Sequence, residues 1–173
     1  MPHSLLRALS LGLLLSTSTL AARVTVPGTA ISFEAPPGWT KMSKEDIAIK
    51  YARGVPPQNV LASKDQTGTI AYELRAAKLP ANQLKDILPA FVATFEQQLG
   101  SVKWQKKEIV QRGGLTWVEL QFETPALDQP IYNHMLFTSV NGQMLAINAT
   151  STVKNLPKYR GAIDAAMKSV RAR

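Results

Sequence analysis

The side chains that most often perform catalysis are scarce in this sequence of 173 residues. It contains no cysteine and two histidines, His3 and His134. Because His3 lies in a predicted export signal, His134 is the single imidazole expected in the mature chain. Cys-His or Ser-His-Asp catalysis is disfavoured, since there is no thiol and no Gly-x-Ser-x-Gly motif. A zinc site with several His or Cys ligands is excluded for the same reason.

The acidic residues that could serve as general acid and base are dispersed. Glu119 and Glu123 share one face of a predicted strand and lie about 13 Å apart at roughly 3.3 Å per residue, too far to act on one centre. Neutral Gln121 lies between them. Asp65 falls in a polar turn that lacks the ligand density of a calcium loop. We therefore predict no catalytic residue, no metal site and no cofactor; a hydrolase using Glu119, Glu123 or His134 is the competing enzymatic hypothesis.

Two further motifs have structural interpretations. Gly113-Gly114 has no phosphate-loop frame around it and is interpreted as a hairpin turn. Asn148-Ala149-Thr150 matches the N-glycosylation triplet but falls inside a predicted strand. His134 lies in mid-strand on the same face as Tyr132 and Leu136, and we interpret it as a partly buried strand residue with a satisfied hydrogen bond.

The amino-terminal segment has the pattern of a secretory signal peptide. Arg7 precedes an apolar run from Leu9 to Leu15, and small residues follow at Ala21 and Ala22. This run is shorter than the roughly 20 residues that span a bilayer. We predict a signal peptide over residues 1–22, no transmembrane segment in the mature chain and, without a cysteine, no lipid anchor.

The remaining chain is basic and long enough to fold without disulfides. Residues 23–173 are expected to form a single domain, because about 150 residues can bury an adequate core. Export without disulfides fits a bacterial periplasm better than a eukaryotic exterior, and the predicted location is periplasmic or secreted. The full sequence has a formal net charge of +8, and a basic protein suits an anionic or acidic partner, although export argues against nucleic acid.

The region from Ser101 to Ser151 predicts an antiparallel meander that would hold these residues. Its turns contain Gly113-Gly114 and Asn141-Gly142, and Asn-Gly favours the positive φ angles of a tight hairpin. Upstream, four shorter strands and a helix capped by Ser43 are predicted. The predicted strands are Val24–Val26, Ala30–Ala35, Asn59–Ser63, Thr69–Ala76, Val102–Gln111, Leu115–Thr124, Ile131–Val140 and Met144–Ser151.

Two longer helices should cover the sheet. Ala81–Leu99 has an apolar stripe at helical spacing, with a kink or a break into two helices at Pro89 and a left-handed cap at Gly100. Leu156–Val170 has a second stripe. The strand from Met144 is apolar on both sides near its start, which indicates cover on both faces. The prediction is an α+β fold, an antiparallel sheet of six or more strands with helices on both faces, in an α/β/α sandwich.

The stretch from Ile31 to Tyr51 resembles a known family. A strand ending in Pro36-Pro37-Gly38-Trp39, the helix start Ser43-Lys44-Glu45-Asp46, Tyr51 and then Pro56-Pro57 are similar to the start of PsbP-like superfamily proteins, which include the DcrB-like periplasmic group. The resemblance spans nearly the whole mature chain and implies the same sandwich fold and a non-catalytic binding or assembly role. Members include a photosystem II subunit, a Ran-binding import factor and secretion-effector chaperones.

The function predicted is therefore that of an exported, non-catalytic binding or assembly protein of the bacterial periplasm, with an envelope protein as its partner. A narrower alternative is an immunity or inhibitor protein against an envelope-targeting toxin. A second is a carrier of a small apolar ligand, held between the sheet and the Ala81–Leu99 helix. The residues assigned to partner contact or structural support are Pro37, Gly38, Trp39, Tyr51, Trp117 and His134.

Overall fold

The computed structural model describes residues 21–52, 54–126 and 128–172. The predicted signal peptide, apart from its last two residues, lies outside them. Within these ranges the chain is an α+β protein with a seven-stranded antiparallel sheet, a three-stranded antiparallel sheet and three α-helices. The helices are α1 (Lys44–Lys50), α2 (Leu84–Leu99) and α3 (Leu156–Lys168). The strands are β1 (Arg23–Thr25), β2 (Ile31–Glu34), β3 (Thr40–Lys41), β4 (Val60–Ala62), β5 (Gly68–Lys78), β6 (Lys103–Arg112), β7 (Leu115–Thr124), β8 (Ile131–Val140), β9 (Gln143–Thr152) and β10 (Arg171–Ala172).

The larger sheet has the order β3-β4-β5-β9-β8-β7-β6, and the smaller sheet has the order β1-β2-β10. The predicted meander is confirmed, because β6, β7, β8 and β9 are neighbours in sequence and in the sheet. Strand β5 pairs with β9 and so closes the meander against the earlier part of the chain. This pairing places the residues of β5 beside those of β9, which matters for the pocket described below.

The hairpin turns follow their sequence signals. Asn141 and Gly142 have φ angles of 51° and 76°, as a type I′ turn requires at both central positions. Gly113 and Gly114 also have positive φ and join β6 to β7. After β2, the Trp39 amide donates to the Pro36 carbonyl at 3.1 Å, with Gly38 at φ 75°. The first two are turns that the sequence predicted, and the third follows the predicted end of the strand at Pro36.

The buried apolar side chains of the larger sheet fall into two main groups. Alternate residues of one strand point to opposite faces, and Trp117 and Val118 of β7 belong to different groups. The first group includes the apolar residues of α3 and the second packs against those of α2. In a third, smaller group, Ile47 of α1 packs with Val60 and Ala62 of β4.

The structure differs from the sequence prediction at several elements. Helix α2 continues through Pro89. Of the two outcomes predicted there, a kink or a break into two helices, the break is wrong; Pro89 lies in the second turn, where few backbone bonds precede it. Strand β5 is longer than predicted. The two-residue strands β3 and β10 were missed, because they pair through backbone atoms alone and so short a segment has no hydrophobic period to recognise.

The close contact at Gly113 should make this turn sensitive to substitution. A Cβ at Gly113 would overlap the Cα of Arg171, and its carbonyl oxygen accepts from Ala172. Gly114 has the same kind of φ, but a Cβ there meets no atom within 4 Å. Gly113→Ala should therefore lower the free energy of unfolding by about 3 kcal/mol, and Gly114→Ala by about 1 kcal/mol. Urea unfolding of both variants tests this, and equal losses would contradict it.

Candidate ligand-binding pocket

A pocket of about 410 Å³ lies on the α2 side of the larger sheet. Helix α2 packs mainly on β6 and β7, toward one end of the sheet, so β9 and β5 lie beyond its main contacts on this face. The segment after α1 approaches from the other side. A volume of this size falls within the roughly 300–1,000 Å³ of ligand sites. The lining residues are Tyr51, Val55, Pro57, Ala71, Glu73, Arg75, Phe91, Thr94, Phe95, Gln98, Met135, Phe137, Met144, Ala146 and Asn148.

The wall beside α2 is aromatic. Phe91 packs on Phe137 of β8 with ring centroids 4.9 Å apart, and Phe95 packs on Phe122 of β7 at 5.4 Å. Met135 and Met144 are half-buried in the floor. Methionine side chains are flexible and polarisable, so they adapt to differently shaped apolar groups. The opposite wall has an apolar lip, because Val55 is 91% exposed.

The floor of the pocket follows from strand register. Ala71, Asn148 and Met135 are paired across β5, β9 and β8 and form one row. Glu73, Ala146 and Phe137 form the next, and Arg75 and Met144 follow. The polar residues of the floor therefore lie mainly along β5, and the apolar ones along β8 and β9.

Two residues of β5 form an ion pair at the edge of the floor. Glu73 is 8% exposed; its Oε1 accepts from Arg75 Nε at 2.6 Å and its Oε2 accepts from the Gln58 amide at 2.9 Å. The Arg75 side chain is half exposed. In the same floor, Asn148 Oδ1 is buried and has no hydrogen-bond partner among the described residues.

On the other face of the sheet, Glu119 of β7 is the centre of a buried charged network. Its Oε2 accepts from Lys106 Nζ and Arg112 Nη2, both at 3.1 Å. Its Oε1 accepts from His134 Nε2 at 2.7 Å and Gln121 Nε2 at 3.2 Å. Because a carboxylate only accepts, His134 Nε2 bears the hydrogen. Both oxygens of Glu119 are therefore occupied by protein donors.

His134 was predicted to be partly buried with a satisfied hydrogen bond. It is instead 3% exposed, because it lies between the sheet and α3. Its Nε2 is satisfied, but its Nδ1 is buried without a hydrogen-bond partner in the described part of the chain, 3.6 Å from Asp164 Oδ1. The Glu123 side chain has separate partners, Gln105 and Lys103.

The lowered pKa of Glu119 makes the stability of the fold depend on pH. Burial raises this pKa, but hydrogen bonds from His134 and Lys106 and the charge of Arg112 outweigh burial and lower it to about 2 from an ordinary value of 4.5. The stabilisation is complete above the unfolded-state pKa and is lost as pH falls toward 2. The wild type's advantage over Glu119→Gln should shrink by about 2 kcal/mol between pH 7 and pH 3. Urea unfolding of both proteins at the two pH values measures it, and an unchanged difference would contradict the assignment.

The structure does not bring the six sequence-predicted site residues together. Trp117 is fully buried, and its Nε1 donates to the Arg112 carbonyl at 3.0 Å. Trp39 packs edge-on against Tyr159, beside the exposed Pro37 and Gly38. Tyr51 lines the pocket, and burial raises the pKa of its hydroxyl. Burial of Trp117 and His134 favours the structural half of their predicted role; partner contact at the others stays a prediction.

Sequence reasoning missed the residues that define the polar part of the pocket. Glu73 and Arg75 are two apart on a predicted strand, a spacing that places them on one face and could have revealed the pair. Asn148 was considered only as a glycosylation triplet. Lys106 and Arg112 were missed at the charged network, since nothing local indicates that they meet Glu119 across the β6–β7 pairing.

The described residues contain no cluster of three or more His, Cys, Asp or Glu side chains arranged to bind a metal ion. Among the described helices, none has the length and apolar character needed to cross a bilayer.

The element order and sheet pairing define a PsbP-like fold, as the resemblance implied. Cyanobacterial PsbP (CyanoP) from Synechocystis sp. PCC 6803 is similar with a TM-score of 0.61 and 13% identity, over 94% of this chain and 99% of that one. LpqN of Mycobacterium tuberculosis, described as involved in cell envelope biogenesis, is similar with a TM-score of 0.58 and 12% identity, over 82% of each chain. PA94 of Pseudomonas aeruginosa, a protein of unknown function described as a putative regulator, is similar with a TM-score of 0.52 and 16% identity, over 89% of this chain and 98% of that one. At these identities the likeness concerns the fold. No protein-family model matches the sequence, and a search of curated proteins finds no significant match.

Proposed function

We propose that this chain is an exported, non-catalytic binding protein of the bacterial envelope that holds an apolar ligand in the pocket beside α2. The observation that carries this proposal is a cavity of about 410 Å³ with aromatic and methionine walls, on a sheet face beyond the main contacts of α2. Apolar cavities with a few polar groups are the usual form of small-molecule sites. Of the functions that the sequence left open, we therefore favour a carrier of a small apolar ligand.

We propose that the architecture is the α/β/α sandwich expected from the sequence. Apolar side chains of α3 and α2 pack with alternate residues of the same strands, which supports helices on opposite faces. In this proposal residues 23–173 form a single PsbP-like domain and residues 1–22 are a removed signal peptide. The leader pattern, the basic charge and the involvement of LpqN in cell envelope biogenesis support a periplasmic or secreted location.

The charged network argues for binding rather than catalysis. Each oxygen of Glu119 already accepts two hydrogen bonds from protein groups. A general base needs a free lone pair within reach of substrate, and Glu119 and His134 are both buried. The enzymatic hypothesis therefore has no accessible candidate in this pair. We propose a structural role for the network, in which Arg112 also donates to the Met167 carbonyl of α3 at 2.8 Å.

A titration with a neutral apolar dye tests ligand binding. N-phenyl-1-naphthylamine becomes fluorescent in apolar surroundings, so added protein should give a saturable increase with one site per chain. Unfolding the protein in urea should abolish the signal. A linear, non-saturating response from the folded protein would contradict the proposal.

A protein partner is the second candidate, and two exposed apolar side chains favour it. Ile49 is 77% exposed and Val55 is 91% exposed; Val55 lines the pocket, and Ile49 lines a second depression that shares Tyr51 and Val55 with it. Large apolar side chains this exposed mark a surface available for contact. Crosslinking in envelope extract with wild type and with Ile49→Asp plus Val55→Asp tests this candidate: a crosslinked species lost in the variant supports it, and identical crosslinking contradicts this surface. The toxin-immunity version stays a prediction, and a toxin gene beside this one would support it.

A further inference from the structure

The rim of the pocket presents a cation whose orientation is fixed by a buried carboxylate. Glu73 binds Arg75 through Nε, the inner nitrogen of the guanidinium. That contact leaves the two outer amino groups of Arg75 without a hydrogen-bond acceptor among the described residues. The outer groups carry four N–H donors in a planar fork, a geometry that matches carboxylate and phosphate oxygens.

The strand changes course immediately after this residue. Pairing between β5 and β9 is regular up to Arg75 and Met144 and then shifts, so that Lys78 pairs with Gln143. A bulge of this kind bends the strand and re-aims the side chains beside it, and bulges are frequent next to binding sites. Arg75 is thus at the last regular position of the floor, where the apolar pocket meets solvent.

Glu73 does not compete with an anion for these donors. One of its oxygens accepts from Arg75 Nε and the other from the Gln58 amide, and its side chain is 10% exposed. An arginine can hold one carboxylate through Nε and a second anion through its outer nitrogens. The Glu73 contact also limits the rotamers of Arg75, which reduces the entropy lost when a ligand is bound.

We propose that the ligand is an anionic amphiphile, whose apolar part fills the pocket between Phe91, Phe95 and Met144 while its anionic head binds the outer nitrogens of Arg75. This inference rests on the proposed function and names the chemical class of its ligand. Ligands of this class have in common one alkyl chain and a carboxylate or phosphate group at its end. A purely apolar molecule would fill the pocket and leave the fixed guanidinium unused.

Three twelve-carbon probes that differ only in head charge test the inference: dodecanoate, 1-dodecanol and dodecyltrimethylammonium, each displacing the dye below its aggregation concentration. A charge-assisted hydrogen bond at a half-exposed rim should give dodecanoate about a tenfold advantage over dodecanol. The cationic probe should bind more weakly than dodecanol. Equal affinity for all three would overturn the anionic class and leave apolar binding intact. Failure of all three, dodecanol included, would overturn the proposed function as well.

Two charge-removing variants on β5 separate Arg75 from general electrostatics. Arg75→Gln should lower dodecanoate affinity about tenfold and leave dodecanol affinity unchanged, which also shows that the variant is folded. Lys78→Gln removes the same charge beyond the bulge and does not line the pocket; it should retain the tenfold preference. An equal loss in both variants, or a preserved preference in Arg75→Gln, would overturn the assignment.

Discussion

Replacing Glu119 with glutamine should lower the free energy of unfolding at pH 7 by about 3 kcal/mol, because it removes the charge that holds two cations and a histidine in the sheet. Glutamine has the same shape, so the loss reports charge rather than packing. The Lys106 and Arg112 side chains are 29% and 16% exposed. Water therefore solvates part of both charges when Glu119 is replaced. The expected loss of unfolding free energy lies at the low end of the range for breaking a buried ion pair.

Glu123→Gln is the matched control for this measurement. It makes the same chemical change on the same strand, but the partner of Glu123 is Lys103, whose side chain is 79% exposed at 3.5 Å. Exposed pairs of this kind contribute about 1 kcal/mol or less. Urea unfolding should therefore separate the two variants clearly. A loss below about 1 kcal/mol for Glu119→Gln would mean that the network does not stabilise the sheet.

Filling the pocket from the α2 side should greatly weaken ligand binding while the fold is retained. Thr94 is exposed, lines the pocket and uses its hydroxyl only for a bond to the Ala90 carbonyl of its own helix. Thr94→Trp places an indole in the space that the ligand would occupy. Losing the burial of one large apolar group costs about 2 kcal/mol, which corresponds to about a thirtyfold loss of affinity.

Gln97→Trp is the control for the indole itself. Gln97 is exposed on the same helix and is not among the pocket residues. Dye titration should give wild-type affinity for this variant and greatly reduced affinity for Thr94→Trp. If both variants bind as the wild type does, the dye occupies another site.

The fold was predictable where sequence signals are local. Asn141-Gly142 fixed one hairpin through its φ angles, Gly113-Gly114 fixed another, and Ser43 capped α1 by accepting from the Asp46 amide at 3.0 Å. Alternation along β7 also agrees with the structure, since Trp117 and Val118 pack on opposite faces of the sheet. At Pro89 a kink or a break was predicted, and the break did not occur, because packing of α2 on the sheet outweighs one missing backbone donor.

The pocket and the charged network were not predictable in the same way. Both depend on pairings between residues far apart in sequence: β5 with β9 for Arg75 and Met144, and β6 with β7 for Lys106 and Glu119. The pocket further depends on α2 packing mainly on β6 and β7 rather than on β9 and β5. Periodicity assigns a residue to a face of a strand, but it does not give the lateral position of a helix above that face.

The most direct test of an apolar ligand in this pocket is NMR of methionine methyl groups during a titration with dodecanoate. Met135 and Met144 line the pocket, whereas Met42 and Met167 are buried in other clusters and act as internal controls. Saturable shifts of the Met135 and Met144 methyl signals, with those of Met42 and Met167 unmoved, are the predicted result. Unchanged Met135 and Met144 signals at saturating ligand, or equal shifts of all four, would contradict the proposed site.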